Sequence, residues 1–140
     1  MTCLNGSCLC GNVTFEANGE AKRVSACYCG MCRKQNGGGA FHGAELKGEL
    51  ILTKDDGLKW YASSSKARRG FCADCGSSLF WQSNIDPSYF DVSLGALDDL
   101  SELKLEAHIF VDDKAPYQTV PNNAPHFTRS DVLANPLQDQ

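Results

Sequence analysis

Apolar and polar residues alternate with a period of two along much of the chain. In NVTFEA, Val13 and Phe15 alternate with polar neighbours, and ELILT repeats the pattern through Leu50 and Leu52. LKWYA places Leu58, Trp60 and Ala62 on one side. YFDVSLG does the same with Phe90, Val92 and Leu94. KLEAHIFV sets Leu105, Ala107, Ile109 and Val111 on one face, with His108 and Phe110 on the other. A period of two is the signature of half-buried strands, whose successive side chains point to opposite faces. Gly, Asn and Asp separate these runs in ANGEA, NGGGA, KDDG and NIDPS, as turns require. No window of 12 or more residues has helical periodicity, although a short helical turn fits after Cys29. The pattern predicts an all-β fold of short antiparallel strands.

No repeat or linker divides the chain, so one domain is expected over residues 1–127. The remainder, 128–140, reads as a C-terminal tail with little β pattern and a disordered end. At 140 residues the chain is long enough to bury a core without disulfides. Hydrophobic residues make up 42% and charged residues 21%, which excludes wholesale disorder. The net charge of −4 opposes nucleic-acid binding, and no stretch approaches the roughly 20 apolar residues of a spanning helix. MTCLNGSCLC has neither a basic start nor a long apolar run, so a secretory signal is not expected. The expectation is a soluble cytoplasmic protein with no nucleic-acid or membrane partner.

Eight cysteines change this picture from a generic β domain to a metal protein. Seven fall into tight groups: Cys8 and Cys10; Cys27, Cys29 and Cys32; Cys72 and Cys75. A disulfide framework fits poorly without an export signal, because the cytosol keeps thiols reduced. Cysteines this close in sequence more often share a metal. Zinc takes sulfur ligands in tetrahedral geometry. The separated pairs Cys8/Cys10 and Cys72/Cys75 make a closed four-thiolate site, which would pin the N-terminal segment to the middle of the chain. Cys27, Cys29 and Cys32 would hold a second zinc and leave its fourth position open, as catalytic sites do. Cys3 or one of the three histidines is available to close that site instead. Arg33, Lys34, Arg68 and Arg69 flank the cysteine loops, where cations would offset thiolate charge.

Five segments occur in order: GSCLCGNVTF, CYCGMCRKQNG, RGFCADCGSSLFW, DVSLGALDD and HIFVDDKAPY. Together they resemble the glutathione-dependent formaldehyde-activating enzyme family, also called the centromere protein V family, over about residues 6 to 127. The resemblance implies a compact, zinc-stabilised Mss4-like fold and two zinc ions per chain. It implies a structural zinc on Cys8, Cys10, Cys72 and Cys75, and a catalytic zinc on Cys27, Cys29 and Cys32. It also implies a carbon–sulfur lyase-type activity of the S-(hydroxymethyl)glutathione synthase kind. In that reaction the sulfur of a small thiol such as glutathione attacks formaldehyde. Arg33, Lys34 and Arg69 are the candidate substrate-binding cations, in a monomer or homodimer. Gly37, Gly38 and Gly39 are either a site of close backbone approach to substrate or a mobile turn.

The chain departs from the family pattern at Tyr28, between the first two cysteines of the loop, where a His is usual. It also has Tyr117 where a Trp is usual, and His126 where an Arg is usual. His42 is a candidate proton shuttle or zinc ligand, His108 is expected to be structural, and His126 to be solvated. Trp60, Phe80, Trp81 and Phe110 read as core or pocket wall. The alternative functional class is a zinc-stabilised binding or scaffold module without turnover.

Overall fold

The computed structural model describes residues 1–121 and 123–134. The strands are β1 (Thr2–Ser7), β2 (Thr14–Cys27), β3 (Phe41–Lys54), β4 (Leu58–Tyr61), β5 (Ala67–Cys72), β6 (Ser78–Ser83), β7 (Tyr89–Ser93), β8 (Ala107–Ile109) and β9 (His126–Phe127). They form one sheet in the order β4-β5-β6-β7-β3-β2-β8-β9, with β1 also on β2. Most pairs are antiparallel, but β8 runs parallel to both β2 and β9. Two short α-helices, α1 (Gly30–Gln35) and α2 (Arg129–Leu133), and two 3-10 turns, Leu94–Ala96 and Val111–Asp113, complete the elements of the described residues. The architecture is therefore a β-sheet domain with minor helical content rather than strictly all-β.

The alternation read from the sequence builds the main core. Phe15 and Ala17 on β2, Ala44 and Leu46 on β3, Phe80 on β6, and Phe90 and Val92 on β7 are all buried in one cluster. Val13 joins them just before β2, and Phe15 meets Phe80 edge-on with ring centres 4.9 Å apart. Burial of the Val, Leu and Phe side chains among these holds the sheet's shape at about 1.5–3 kcal/mol each. The opposite face of the central strands carries a different set: Ser25 and Cys27, Glu45, Asp91, Trp81 and Arg69. A register irregularity between Ala21 and Arg23 brings the second half of β2 into this alternation.

The expected alternation fails in KLEAHIFV. Ala107, His108, Ile109 and Phe110 are all buried, so β8 is covered on both faces. Phe110 turns the chain with a left-handed φ of 54°. The tail predicted from residue 128 begins as α2 instead. Thr128 and Asp131 form a reciprocal capping box there, and Val132 is buried in a second hydrophobic cluster with Phe41, Ala107, Ile109 and Phe110. Residues 135–140 of the expected tail lie outside the described residues. Among the described residues, no helix is long and apolar enough to cross a membrane.

Candidate metal and active centre

Two turns build the four-thiol cluster. In SCLCGNV, the Cys8 N–H donates to Val13 O at 2.9 Å, and the Val13 N–H donates to Cys8 Sγ at 3.3 Å. In CADCGS, the Cys72 N–H donates to Ser77 O at 3.0 Å and the Gly76 N–H to Cys72 O at 2.8 Å. Gly76 sits at a φ of 79°, which a side chain would resist. The turns are tied together by Leu9 N–H to Ser77 Oγ at 3.0 Å and Asn12 Nδ2 to Asp74 Oδ2 at 2.9 Å.

All four Sγ atoms lie within 4.8 Å of one another. Cys8–Cys10 and Cys10–Cys72 are 3.7 and 3.8 Å apart. A zinc–sulfur bond of about 2.3 Å gives a tetrahedral edge of about 3.8 Å, so the cage has zinc's dimensions. The hydroxyl and N–H of Ser77 pull the Cys75 thiol down to about 5, which favours the ligating thiolate.

The three-thiol cluster grows from the end of β2. Cys27 is its last residue, and Cys29 is the N-cap of α1, with its Sγ accepting the Cys32 N–H at 3.3 Å. Cys32 then faces the same side, three residues on. The three sulfurs also lie within 4.8 Å of one another, and all three residues are buried. Hydrogen bonds from Cys27 and Cys32 drive the Cys29 thiol down to about 2, aided by the Cys32 N–H and by Arg69. The hydrogen bonds of Cys29 and Cys32, with burial, push Cys27 well up. The cluster by itself thus concentrates negative charge on Cys29.

Arg69, only 5% exposed, supplies the compensating cation. Its Nη1 donates to Cys32 Sγ at 3.4 Å and to Gln35 Oε1 at 3.0 Å. Burial works against its charge, but the Cys32 charge and hydrogen bond, then Cys29 and Cys27, outweigh it and hold the guanidinium above its usual value. The Arg69 Nε is buried with no hydrogen-bond partner among the described residues.

The cluster opens onto a small cavity of about 40 Å³, with the sheet's polar face as its other wall. A groove of about 500 Å³ lies beside it and shares Arg69; Lys34, Met31 and Phe71 also line it. Of the candidate substrate cations, Arg69 and Lys34 therefore reach these spaces. Arg33 does not, because its Nη1 donates to Asp113 O at 3.0 Å. Arg68 stacks 3.9 Å over the Trp60 ring instead of meeting a thiol.

Gly37 and Gly38 take positive φ and end α1, and Gly38 O accepts from the Tyr117 hydroxyl at 2.8 Å. None of the three glycines lines the cavity or the groove. Cys3 is exposed on β1 and belongs to neither cluster. No histidine joins one either. His42 is exposed, while buried His108 meets the Tyr28 hydroxyl at 3.1 Å through Nδ1, in keeping with a structural role. His126 lies in β9 and is exposed, as expected of a solvated side chain, with its ring 5.4 Å from that of His108. Trp60 and Phe80 pack in the core, whereas Trp81 and Phe110 wall the cavity.

Asp91 and Glu45 were not singled out by sequence reasoning. The available signal was their place as acidic residues at the polar positions of otherwise buried strands, in YFDVS and GAELK.

Residues 3–113 match the family described as glutathione-dependent formaldehyde-activating enzyme. A Halomonas elongata protein, named provisionally as a glutathione-dependent formaldehyde-activating enzyme, is 30% identical over 126 residues. That alignment covers 79% of this chain and 76% of the relative. An uncharacterized lyase of Schizosaccharomyces pombe is 25% identical over 128 residues, covering 91% of this chain and 93% of that one. A crystal structure of a Rhodobacter sphaeroides protein shares the fold with a TM-score of 0.55 at 20% identity, over 88% of this chain and 99% of that one. With two buildable thiol clusters and a match across most of its length, the chain belongs to the glutathione-dependent formaldehyde-activating enzyme family.

Proposed function

We propose that this chain is a zinc-dependent enzyme that joins a small thiol to a small aldehyde, a carbon–sulfur lyase-type reaction run toward synthesis. Glutathione and formaldehyde are the reference pair. The observation that carries this reading is the placement of the three buried thiols on the wall of a cavity, beside a larger groove that shares Arg69. In this reading Cys8, Cys10, Cys72 and Cys75 hold a structural zinc, and Cys27, Cys29 and Cys32 hold a catalytic one within an Mss4-like fold. The site acts in the cytoplasm, in a monomer or homodimer.

A zinc on the three thiols would supply a Lewis acid that lowers the pKa of an incoming thiol. The chain's own residues do the rest. The Cys32 N–H and the Arg69 guanidinium favour the Cys29 thiolate and offset the cluster's charge. Lys34, on the groove, offers a cation to the carboxylates of a thiol substrate, while Met31 and Phe71 give it an apolar wall. The cavity is too small for glutathione's body but admits an aldehyde of one or two carbons. Tight burial by Phe41, Ile109 and Phe110 limits water at the reacting centre.

The test is zinc per chain in anaerobically purified protein, together with adduct formation from glutathione and ¹³C-formaldehyde. Two zinc equivalents, one of them lost in Cys29→Ser along with turnover, are expected. One equivalent unchanged by Cys29→Ser, with no catalysed exchange, would refute the reading.

A further inference from the structure

Five side chains stand in one cross-strand row on the polar face of the sheet. Arg69 pairs with Trp81, Trp81 with Asp91, Asp91 with Glu45, and Glu45 with Arg23. Residues directly paired across strands have Cβ atoms about 4.5–5.5 Å apart. The row therefore sets two carboxylates side by side, flanked by a cation at each end. Asp91 and Glu45 line the same cavity as Cys27, Cys29 and Cys32.

Gly43, one alternation along β3 from Glu45, leaves room for the Asp91 carboxyl. A Cβ at Gly43 would lie 3.0 Å from Asp91 Oδ1 and 2.8 Å from Phe41 Cε1, so any side chain there would crowd the carboxyl. The carboxyl occupies the room that the missing side chain leaves.

We propose that Asp91, with Glu45 as its paired carboxyl, is the proton donor to the carbonyl oxygen of the aldehyde. This rests on the thiol–aldehyde reading above. The step balances without a redox partner. The thiolate sulfur attacks the carbonyl carbon and the C–S bond forms. The C=O π pair moves onto oxygen, and the Asp91 proton goes to that oxygen, giving a hydroxyl. Asp91, left as carboxylate, is reprotonated by the proton the thiol released to solvent. In reverse, Asp91 takes the hydroxyl proton as the C–S bond breaks.

The surroundings suit this role. Burial, then the neighbouring charge of Glu45, pushes the Asp91 carboxyl up to about 8, against the pull of Arg23 and Arg69. Two adjacent carboxyls in a poorly hydrated site do not both ionise, so one holds a proton at neutral pH. The groups facing Asp91 are thus Glu45 on β3, Arg23 on β2 and Arg69 on β5. Trp81 on β6 adds no charge.

The test uses zinc-loaded wild type, Asp91→Asn and Gly43→Ala. Glutathione–[¹³C]formaldehyde exchange is measured by NMR, and glutathione binding by calorimetry. Asp91→Asn is expected to slow catalysed exchange about 100-fold, a typical loss for an acid–base group. It should also erase the alkaline limb of the pH–rate profile, with zinc content and glutathione affinity unchanged. Gly43→Ala should slow exchange with the same two quantities intact.

Independently of turnover or folding of the variants, ¹³C-aspartate-labelled wild type should show one carboxyl resonance titrating near 8. All aspartates titrating below about 5 would overturn the proposal. So would an Asp91→Asn rate equal to wild type, which leaves the thiol–aldehyde reading standing. Wild type that catalyses no exchange removes that reading and the proposal together.

Discussion

The two thiol clusters differ most in how much chain they close, and that difference sets a measurable stability gap. The Cys10–Cys72 contact joins residues 62 positions apart. Cys27 and Cys32 are separated by five positions. A clip across the longer span removes about 4 kcal/mol of unfolded-chain entropy in the loop-closure account. Because that entropy grows as the logarithm of loop length, the longer span is worth about 2 kcal/mol more than the shorter. Cys72 and Cys29 are both fully buried, so changing either to Ser carries a similar local cost. Serine also preserves the N-cap at position 29.

With an unfolding entropy of about 0.3 kcal/mol/K for a chain of this length, Cys72→Ser should lower Tm by about 14 °C. Cys29→Ser should lower it by about 7 °C less than that. Circular-dichroism melts of metal-loaded protein, with zinc counted per chain, read the difference directly. Equal shifts, or a larger one for Cys29→Ser, would refute the assignment of the four-thiol cluster as the long-range clamp.

Three further outcomes are expected. Arg69→Met removes the buried cation on Cys32 and should weaken zinc at the three-thiol cluster by about 10- to 100-fold, with the four-thiol cluster unchanged in chelator competition. Asp91 carries its proton in the folded state up to about 8 but in the unfolded state only to 3.8, so its contribution to stability falls as pH rises between those values. Urea unfolding at pH 5 and pH 8 should show that decline in wild type and a smaller one in Asp91→Asn. Tyr28→Phe leaves buried His108 without its hydroxyl partner and should cost about 1–3 kcal/mol in urea unfolding, with zinc content unaffected.

Part of the core and the membership of both clusters were legible in the sequence alone. Val13, Phe15, Phe90 and Val92 alternate with polar neighbours because a half-buried strand exposes every second side chain, and those four are buried as read. The cysteine groups were equally legible, since Cys-x-Cys and Cys-x-x-Cys turns bring sulfurs together through local backbone geometry. Local spacing did not reveal what comes together across strands. Which of four flanking cations meets a thiol depends on β5 reaching α1; Arg69 meets Cys32 there, while Arg33 and Arg68 turn to a backbone carbonyl and a ring. The Arg69–Trp81–Asp91–Glu45–Arg23 row exists only through the register of five strands, and a slip of one residue in any of them would send its member to the core face. Tertiary contact also ordered β9 and α2 in a stretch with little pattern, because Phe127 and Val132 pack on the second hydrophobic cluster. Periodicity reports only whether a residue is covered. The covering partner is chosen by the fold, and the cavity's chemistry is the sum of those choices.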